Sequence, residues 1–404
     1  MRVAYYAATL LEIGGGLEKY YIETAHDLCE LEGVHADILT MDDAFNLKYG
    51  KLHNLYFGRK FDPRLLYREP LDAITAKLGK ARYLKCPSFR ELVSRFQNYD
   101  VVYSRNDITE PFFFKFVMGY RRVPPVVFGC HIPHVYPIAE SLHARLHNFL
   151  FTSWLYNWMA GGVCGFHVIN NFSLQVFSRQ FPRKHIARIY YPFDFDAFAA
   201  NADRCPFPGQ LAPGKFNVIW AGRLVEQKGV LDLVKLIDRM NPTHADRVVW
   251  NICGDGELKP LVAACQSKWP NVKWWGHVNN RQMASVYRQG NLFLTTSKWE
   301  GYPYNVLEAQ ALGLPVVAYD IPGCNDMIDN GVNGFVVNSS AEFAEKVGFF
   351  LGGNKLPPNR PPISGRKSTG AKFTPSWWRS SKPAPGSGGV DCSAVAGRVY
   401  NPLG

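Results

Sequence analysis

The second half of this chain repeats one pattern: a short apolar run, a turn rich in glycine or charge, then a helical stretch. The apolar runs are residues 218–222, 248–254, 271–276, 291–296 and 315–320. Continuous apolar runs of this length suit strands buried on both faces, as in parallel sheets covered by helices. Strands that alternate with helices in this way specify an α/β fold of βαβ units. Ligands of such sheets bind at the carboxyl ends of the strands, where helix N-termini attract anions.

The first half follows the same logic less regularly. Residues 1–8 read as a strand and 9–16 as a loop ending in three glycines. Residues 17–31 read as a helix with Leu17, Tyr20, Tyr21, Thr24, Ala25 and Leu28 on one face. The glycine loop lacks the spacing of a dinucleotide fingerprint and the Lys-Ser/Thr of a P-loop, but its backbone can line an anion site. Further strands are expected at 34–41, 100–104, 125–130 and 165–169. Residues 41–98 show no clear period. They mix Arg59, Lys60, Arg64 and Arg68 with aromatics, a composition open to membrane or acidic-acceptor contact and more simply to a solvated face. Residues 142–159 read as one long, aromatic-rich helix belonging to the core, with membrane contact as the lesser alternative. Asn170-Asn-Phe-Ser opens another helix, with Ser173 as its cap.

The stretch 186–198, followed by a Pro, Gly and Asn-rich loop at 201–214, divides the chain. Two α/β domains are expected, at 1–190 and 191–351. Residues 352–404 form a third region rich in Pro, Gly, Ser and basic residues, read as disordered or as an altered terminus. Of the +11 formal charge, +7 lies in residues 354–404, which leaves +4 on the rest. A mildly basic body suits anionic substrates and does not call for nucleic acid. Nine scattered cysteines without C-x-x-C pairs indicate reduced thiols in a cytoplasmic protein rather than disulfides or a zinc site. No apolar run reaches membrane-spanning length, and the N-terminal run reads as a first strand rather than a signal peptide.

The chemistry concentrates at 297–313, S-K-W-E-G-Y-P-Y-N-V-L-E-A-Q-A-L-G. It reads as a strand end, a turn and a helix closed by Gly313. Glu300 stands at the strand end and Glu308 is expected in the first helical turn. N–H groups near Asn305, Val306 and Leu307 can take phosphate, and the two carboxylates can take hydroxyls. An anionic, hydroxyl-rich ligand fits a sugar nucleotide. A first-turn glutamate that complements the helix dipole is the plainer reading. Arg223 and Lys228, between a strand end and a helix start, suit a pyrophosphate or stand as solvated cations. His131, at the end of the strand 125–130, is a polar site candidate or a structural histidine.

Taken together, A-G-R-L-V-E-Q-K-G (221–229), C-G-D-G-E-L (253–258), G-H-V (276–278), E-G-Y-P-Y-N-V-L-E-A (300–309) and N-G-F-V-V (333–337) resemble the donor half of the retaining family 4 glycosyltransferases. The N-terminal half is similar to the family's acceptor half more loosely, and the likeness covers about residues 1–351. The resemblance implies a GT-B architecture, with two Rossmann-like domains facing across a cleft. It implies a retaining hexosyltransferase, metal-independent and without cofactor, that moves a hexose from a UDP-sugar or GDP-sugar to a hydroxyl of a glycan, lipid-linked or small-molecule acceptor. Polysaccharide or lipopolysaccharide biosynthesis, in the cytoplasm or peripherally at the inner membrane face, is the implied setting. By position, Arg223 and Lys228 would bind the diphosphate and Glu300 the sugar hydroxyls. Tyr302, Asn305 and Val306 would reach sugar and phosphate through the backbone, and Glu308 would bind the ribose. His277 and Val278 would meet the base. Gly15 and Gly16 would approach the donor phosphate, His131 the transferred sugar, and Asn170 would line the substrate site.

Front-face attack by the acceptor hydroxyl is implied. Glu300 can also be read as a nucleophile, but one carboxylate is not the flanking pair of a hydrolase. The sequence departs from the family at Asp326, where glutamate is frequent, and after Leu351, where a closing helix is absent. A GT-B epimerase and a catalytically impaired sugar-nucleotide-binding protein are the competing readings.

Overall fold

The computed structural model describes residues 1–7, 11, 16–42, 70–131, 134–136, 142–191 and 193–356. The described residues form two compact units: Met1–Ile169 with Ser173–Ile189, and Asn170–Phe172 with Tyr190–Leu356.

The first unit holds seven parallel strands: β1 (Arg2–Ala7), β2 (His35–Met41), β3 (Arg82–Cys86), β4 (Val101–Arg105), β5 (Val126–Cys130), β6 (Gly165–Val168) and β7 (His185–Arg188). Their order is β3-β2-β1-β4-β5-β6-β7. The chain winds outward from β1 to β3, then restarts beside β1 with β4. That reversal is the topological switch point of a doubly wound sheet. Leu39, Phe96, Val102, Phe114, Phe128 and Phe166 are buried in its core.

Three local expectations for this unit are corrected. The stretch read as irregular contains the helix Leu71–Leu78, edge strand β3 and the helix Phe89–Phe96. β3 reads poorly because Tyr83, Leu84 and Lys85 are all only half-buried, but it is pinned to β2. Arg82 and Tyr99 both hold the buried Asp37 carboxylate, at 2.6 and 2.7 Å. The expected single helix at 142–159 is two, Leu142–Thr152 and Trp154–Ala160. Ser153 separates them: its Oγ accepts from Tyr156 N–H (3.1 Å) and donates to the Leu150 carbonyl (2.6 Å). These helices are not simply core, since Trp154 is 77% exposed. Ser173 is no cap. It is buried inside the helix Asn171–Gln180.

The second unit holds β8 (Phe216–Ala221), β9 (Val248–Cys253), β10 (Val272–Gly276), β11 (Leu292–Thr295), β12 (Val316–Tyr319) and β13 (Gly334–Val337). All pair in parallel, in the order β10-β9-β8-β11-β12-β13, so its switch point lies between β8 and β11. Trp220, Trp250, Leu236, Leu294 and Val347 fill its core. The helix Tyr304–Ala311 stops at Gly313, whose φ of +77° is open to glycine. Leu314 N–H bonds to the Ala309 carbonyl and Gly313 N–H to that of Gln310, the paired closure of a Schellman motif. Glu308 is not in the first turn as expected, because the helix already begins at Tyr304. From residue 357 the basic tail lies outside the described residues, as do Gly15 and the basic-aromatic stretch 43–69.

Candidate active site

At the switch point of the second sheet, the loops that leave β8 and β11 lie side by side. The loop after β8 carries Arg223, the short 3₁₀ turn Glu226–Lys228, and Gly229. Gly229 has φ +64°, and a Cβ there would sit 1.8 Å from the Thr296 carbonyl oxygen. Only glycine permits this approach of the two loops. Two further bonds stitch them together. Thr296 Oγ1 donates to the Lys228 carbonyl at 2.9 Å, and Lys298 N–H donates to that of Gln227 at 2.8 Å.

This stitching places Lys228 against Glu300. The ammonium and carboxylate meet at 2.5 Å, with side chains 16% and 8% exposed. The same Glu300 oxygen accepts from Ser297 Oγ at 2.7 Å, and Ser297 Oγ in turn pairs with Thr295 Oγ1 at 3.1 Å. The sequence assigned Lys228 and Glu300 to different parts of one ligand; the structure joins them directly. Arg223 is exposed, and its guanidinium reaches Gln227 at 3.4 Å. One cation is therefore fixed and one is held at the surface.

The remaining candidates of this unit lie on its other loops and on the helix that follows β11. Asn305 Nδ2 donates to the Ala221 carbonyl at 2.9 Å, tying the helix Tyr304–Ala311 to the end of β8. Its Oδ1 is buried with no hydrogen-bond partner among the described residues. The helix begins after Pro303 with no side-chain cap. Val306 N–H bonds to the Pro303 carbonyl at 3.2 Å. Tyr302 is buried against Tyr190 at a ring separation of 5.0 Å. Glu308 is buried and accepts from Tyr287 OH at 3.3 Å. Asn170, clustered with this unit, donates to the Gly301 carbonyl at 2.8 Å. Its neighbour Asn171 bonds through its N–H to Asp326 at 3.1 Å. Asp326, the departure noted in the sequence, thus has a partner. His277 and Val278 follow Gly276 (φ +66°) at the end of β10, with His277 exposed. A separate hollow of about 970 Å³, bounded by Phe216, Arg247 and Pro315, lies at the opposite, amino-terminal ends of the strands.

In the first unit the structure surrounds His131 with residues the sequence did not single out. Tyr103 OH lies 2.8 Å from His131 Nε2 and 2.7 Å from His167 Nδ1, and His167 Nε2 lies 2.8 Å from the Ile189 carbonyl. A carbonyl only accepts, so His167 carries its proton on Nε2. Its Nδ1 then accepts from Tyr103 OH, and the Tyr103 oxygen accepts from His131 Nε2–H. Tyr20 packs over His131 at 4.6 Å. Burial drives the His131 pKa well below the usual value, helped by His167 and Arg105, so the ring is neutral. Burial likewise lowers His167 to about 4. Gly129 makes room, since a Cβ there would lie 1.9 Å from Tyr103 OH. The available signal was the polar alternation of β4 and β6 beside β5, which puts Tyr103 and His167 on the face of Gly129. His134 is structural, buried against Phe177 and bonded to Gln180 at 2.9 Å. Gly16 opens the helix Gly16–Cys29. Among the described residues no group of three or more His, Cys, Asp or Glu is placed to hold a metal.

Residues 215–352 match the family described as Glycosyl transferases group 1, and the second unit is a domain of that kind. Among curated relatives, the GtfA subunit of the UDP-N-acetylglucosamine–peptide N-acetylglucosaminyltransferase of Streptococcus pneumoniae is 29% identical over 135 residues, 32% of this chain and 26% of that protein. The capsular polysaccharide biosynthesis glycosyltransferase CapM of Staphylococcus aureus is 27% identical over 172 residues, 41% of this chain and 44% of that one. The chain thus spans less than half the length of these curated relatives. Anabaena HepE, solved with UDP-glucose, is similar over 87% of this chain and 90% of its own, with a TM-score of 0.59 at 17% identity. Two Rossmann-like parallel sheets with this breadth of structural likeness define the GT-B fold.

Proposed function

We propose that this protein is a retaining glycosyltransferase that moves a hexose from a nucleotide-diphospho-sugar to an acceptor hydroxyl. The observation that carries the reading is the Lys228–Glu300 pair, held at the switch point of a group 1 domain beside an uncapped helix N-terminus. A cation, a carboxylate and free helix dipole at one strand edge suit a ligand with a diphosphate at one end and hydroxyls at the other. UDP and UDP-sugars in the solved relatives support the same ligand class.

In this reading Arg223 and Lys228 hold the diphosphate and stabilise charge as it leaves. Glu300 orients the sugar hydroxyls, Tyr302 to Val306 line the sugar and phosphate, and Glu308 takes the ribose. His277 and Val278 meet the base through their backbone. Neutral His131, oriented by Tyr103 and His167, contacts the transferred sugar, with Gly15, Gly16 and Asn170 completing the substrate site. The bond from the anomeric carbon to the phosphate oxygen breaks, and a bond from that carbon to the acceptor oxygen forms on the same face. The acceptor proton passes to the departing phosphate. No metal ion is needed, because the two cations and the helix N-terminus serve the phosphates. The acceptor is a glycan, lipid-linked or small-molecule hydroxyl, reached from the cytoplasmic side.

The test is release of nucleoside diphosphate from sugar nucleotides with and without acceptor extracts, in chelator, with the product anomer read by NMR. Acceptor-dependent release with a retained anomer supports the proposal. Free sugar and nucleotide released without acceptor indicate an epimerase, and tight donor binding without turnover indicates a binding protein.

A further inference from the structure

Of the thirteen large hydrophobic side chains exposed among the described residues, nine lie between Phe112 and Trp158. Scattered apolar residues need no explanation, but a concentration of them on one unit does. The centre of the concentration is contiguous. The Phe112 and Phe116 rings lie 5.0 Å apart, and Phe116 lies 5.5 Å from Trp158. Trp154 stands one turn before Trp158 on the same helix face, 77% exposed. The helix before it exposes Leu142, Leu146 and Phe149, spaced i, i+4, i+7.

The exposed charges described between Phe112 and Trp158 have one sign. Lys115 lies 4.3 Å over the Trp158 ring, and exposed Arg121 and Arg122 follow one turn beyond Met118. Among the described residues from 110 to 160 the only carboxylate is Glu110, which is fully buried and bonded to Arg105 at 2.6 Å. Exposed tryptophan and phenylalanine ringed by cations, with no exposed acid among the described residues of this span, complement the interface of an anionic bilayer. A second copy of this chain would set the same cations against each other across a twofold axis.

We infer that the face formed by Phe112, Phe116, Trp154 and Trp158, with Lys115, Arg121 and Arg122, docks on an anionic lipid surface. The aromatic rings enter the headgroup layer while the cations stay at the phosphates. The inference stands apart from the proposed transfer reaction, because neither the donor site nor His131 takes part in it.

The experiment is co-sedimentation of the full chain with phosphatidylcholine vesicles, with and without about 30% phosphatidylglycerol. Binding to the anionic vesicles only, weakening with salt, is the expected result. Trp154→Glu/Trp158→Glu should abolish it. Arg121→Gln/Arg122→Gln should weaken it roughly fivefold per cation removed. All four positions are exposed, so circular dichroism should be unchanged. Equal pelleting of wild type and the tryptophan variant, or no wild-type pelleting at all, would overturn the inference. So would a tryptophan variant that merely converts a dimer to a monomer.

Discussion

Lys228 Nζ and Glu300 Oε1 lie 2.5 Å apart, although 72 residues separate them in the chain. The contact joins the two loops at the switch point of the second sheet and is largely shielded from water. Removing one member of such a pair strands the other charge. Lys228→Met and Glu300→Leu should therefore each cost about 3 kcal/mol, read from urea unfolding. The double variant should cost clearly less than the sum. Strict additivity would mean that the pair does not hold the loops together.

Arg223 offers the contrast. It is exposed, and its guanidinium donates to Gln227 Oε1 at 3.4 Å. Arg223→Ala should leave stability within about 0.5 kcal/mol. It should weaken nucleoside diphosphate binding roughly tenfold to a hundredfold, the worth of one charge-assisted contact. Urea unfolding checks the first half and calorimetric titration the second, and unchanged affinity would remove Arg223 from the phosphate site.

Gly129 allows the proposed roles of the two units to be tested separately. In Gly129→Ala the new methyl would displace Tyr103 OH from between His131 and His167. Nucleotide binding at the second unit should persist while transfer falls at least about tenfold. Loss of nucleotide binding in this variant would contradict the division of labour.

The buried histidines set a pH dependence. His131, His134 and His167 are all held neutral by burial, His134 to about 3 and His167 to about 4. Their folded values lie below the ordinary 6.5, so below that pH only the unfolded chain takes up their protons. Stability is full above pH 6.5 and falls as the pH drops toward about 4, by about 1.4 kcal/mol per unit for each such histidine. Urea midpoints between pH 6.5 and about pH 5 test this. His167→Gln should make the decline shallower, and a flat profile in the wild type would refute the neutral cluster.

Much of this was legible in the chain, for a physical reason. Strands buried on both faces are continuous apolar runs, so β8, β9, β11 and β12 stood out at once. Edge strand β3 did not, because its positions are half-buried and its anchor, Arg82 on Asp37, is a long-range contact. Ser153 hid a helix break that only its two side-chain bonds create. Glu300, Glu308, Arg223 and Lys228 could be named from strand-to-helix position. That Lys228 meets Glu300, and that Tyr103 links two histidines, depends on strand order, which local pattern does not encode.

The most direct test of the central claim is titration of sugar nucleotides into wild-type and Glu300→Gln protein, with transfer measured on the same samples. The account predicts that the wild type binds one nucleotide series. Glu300→Gln should keep nucleoside diphosphate affinity within about threefold and lose transfer by at least about a hundredfold. Normal transfer by folded Glu300→Gln protein, or no nucleotide binding by the wild type, would contradict it.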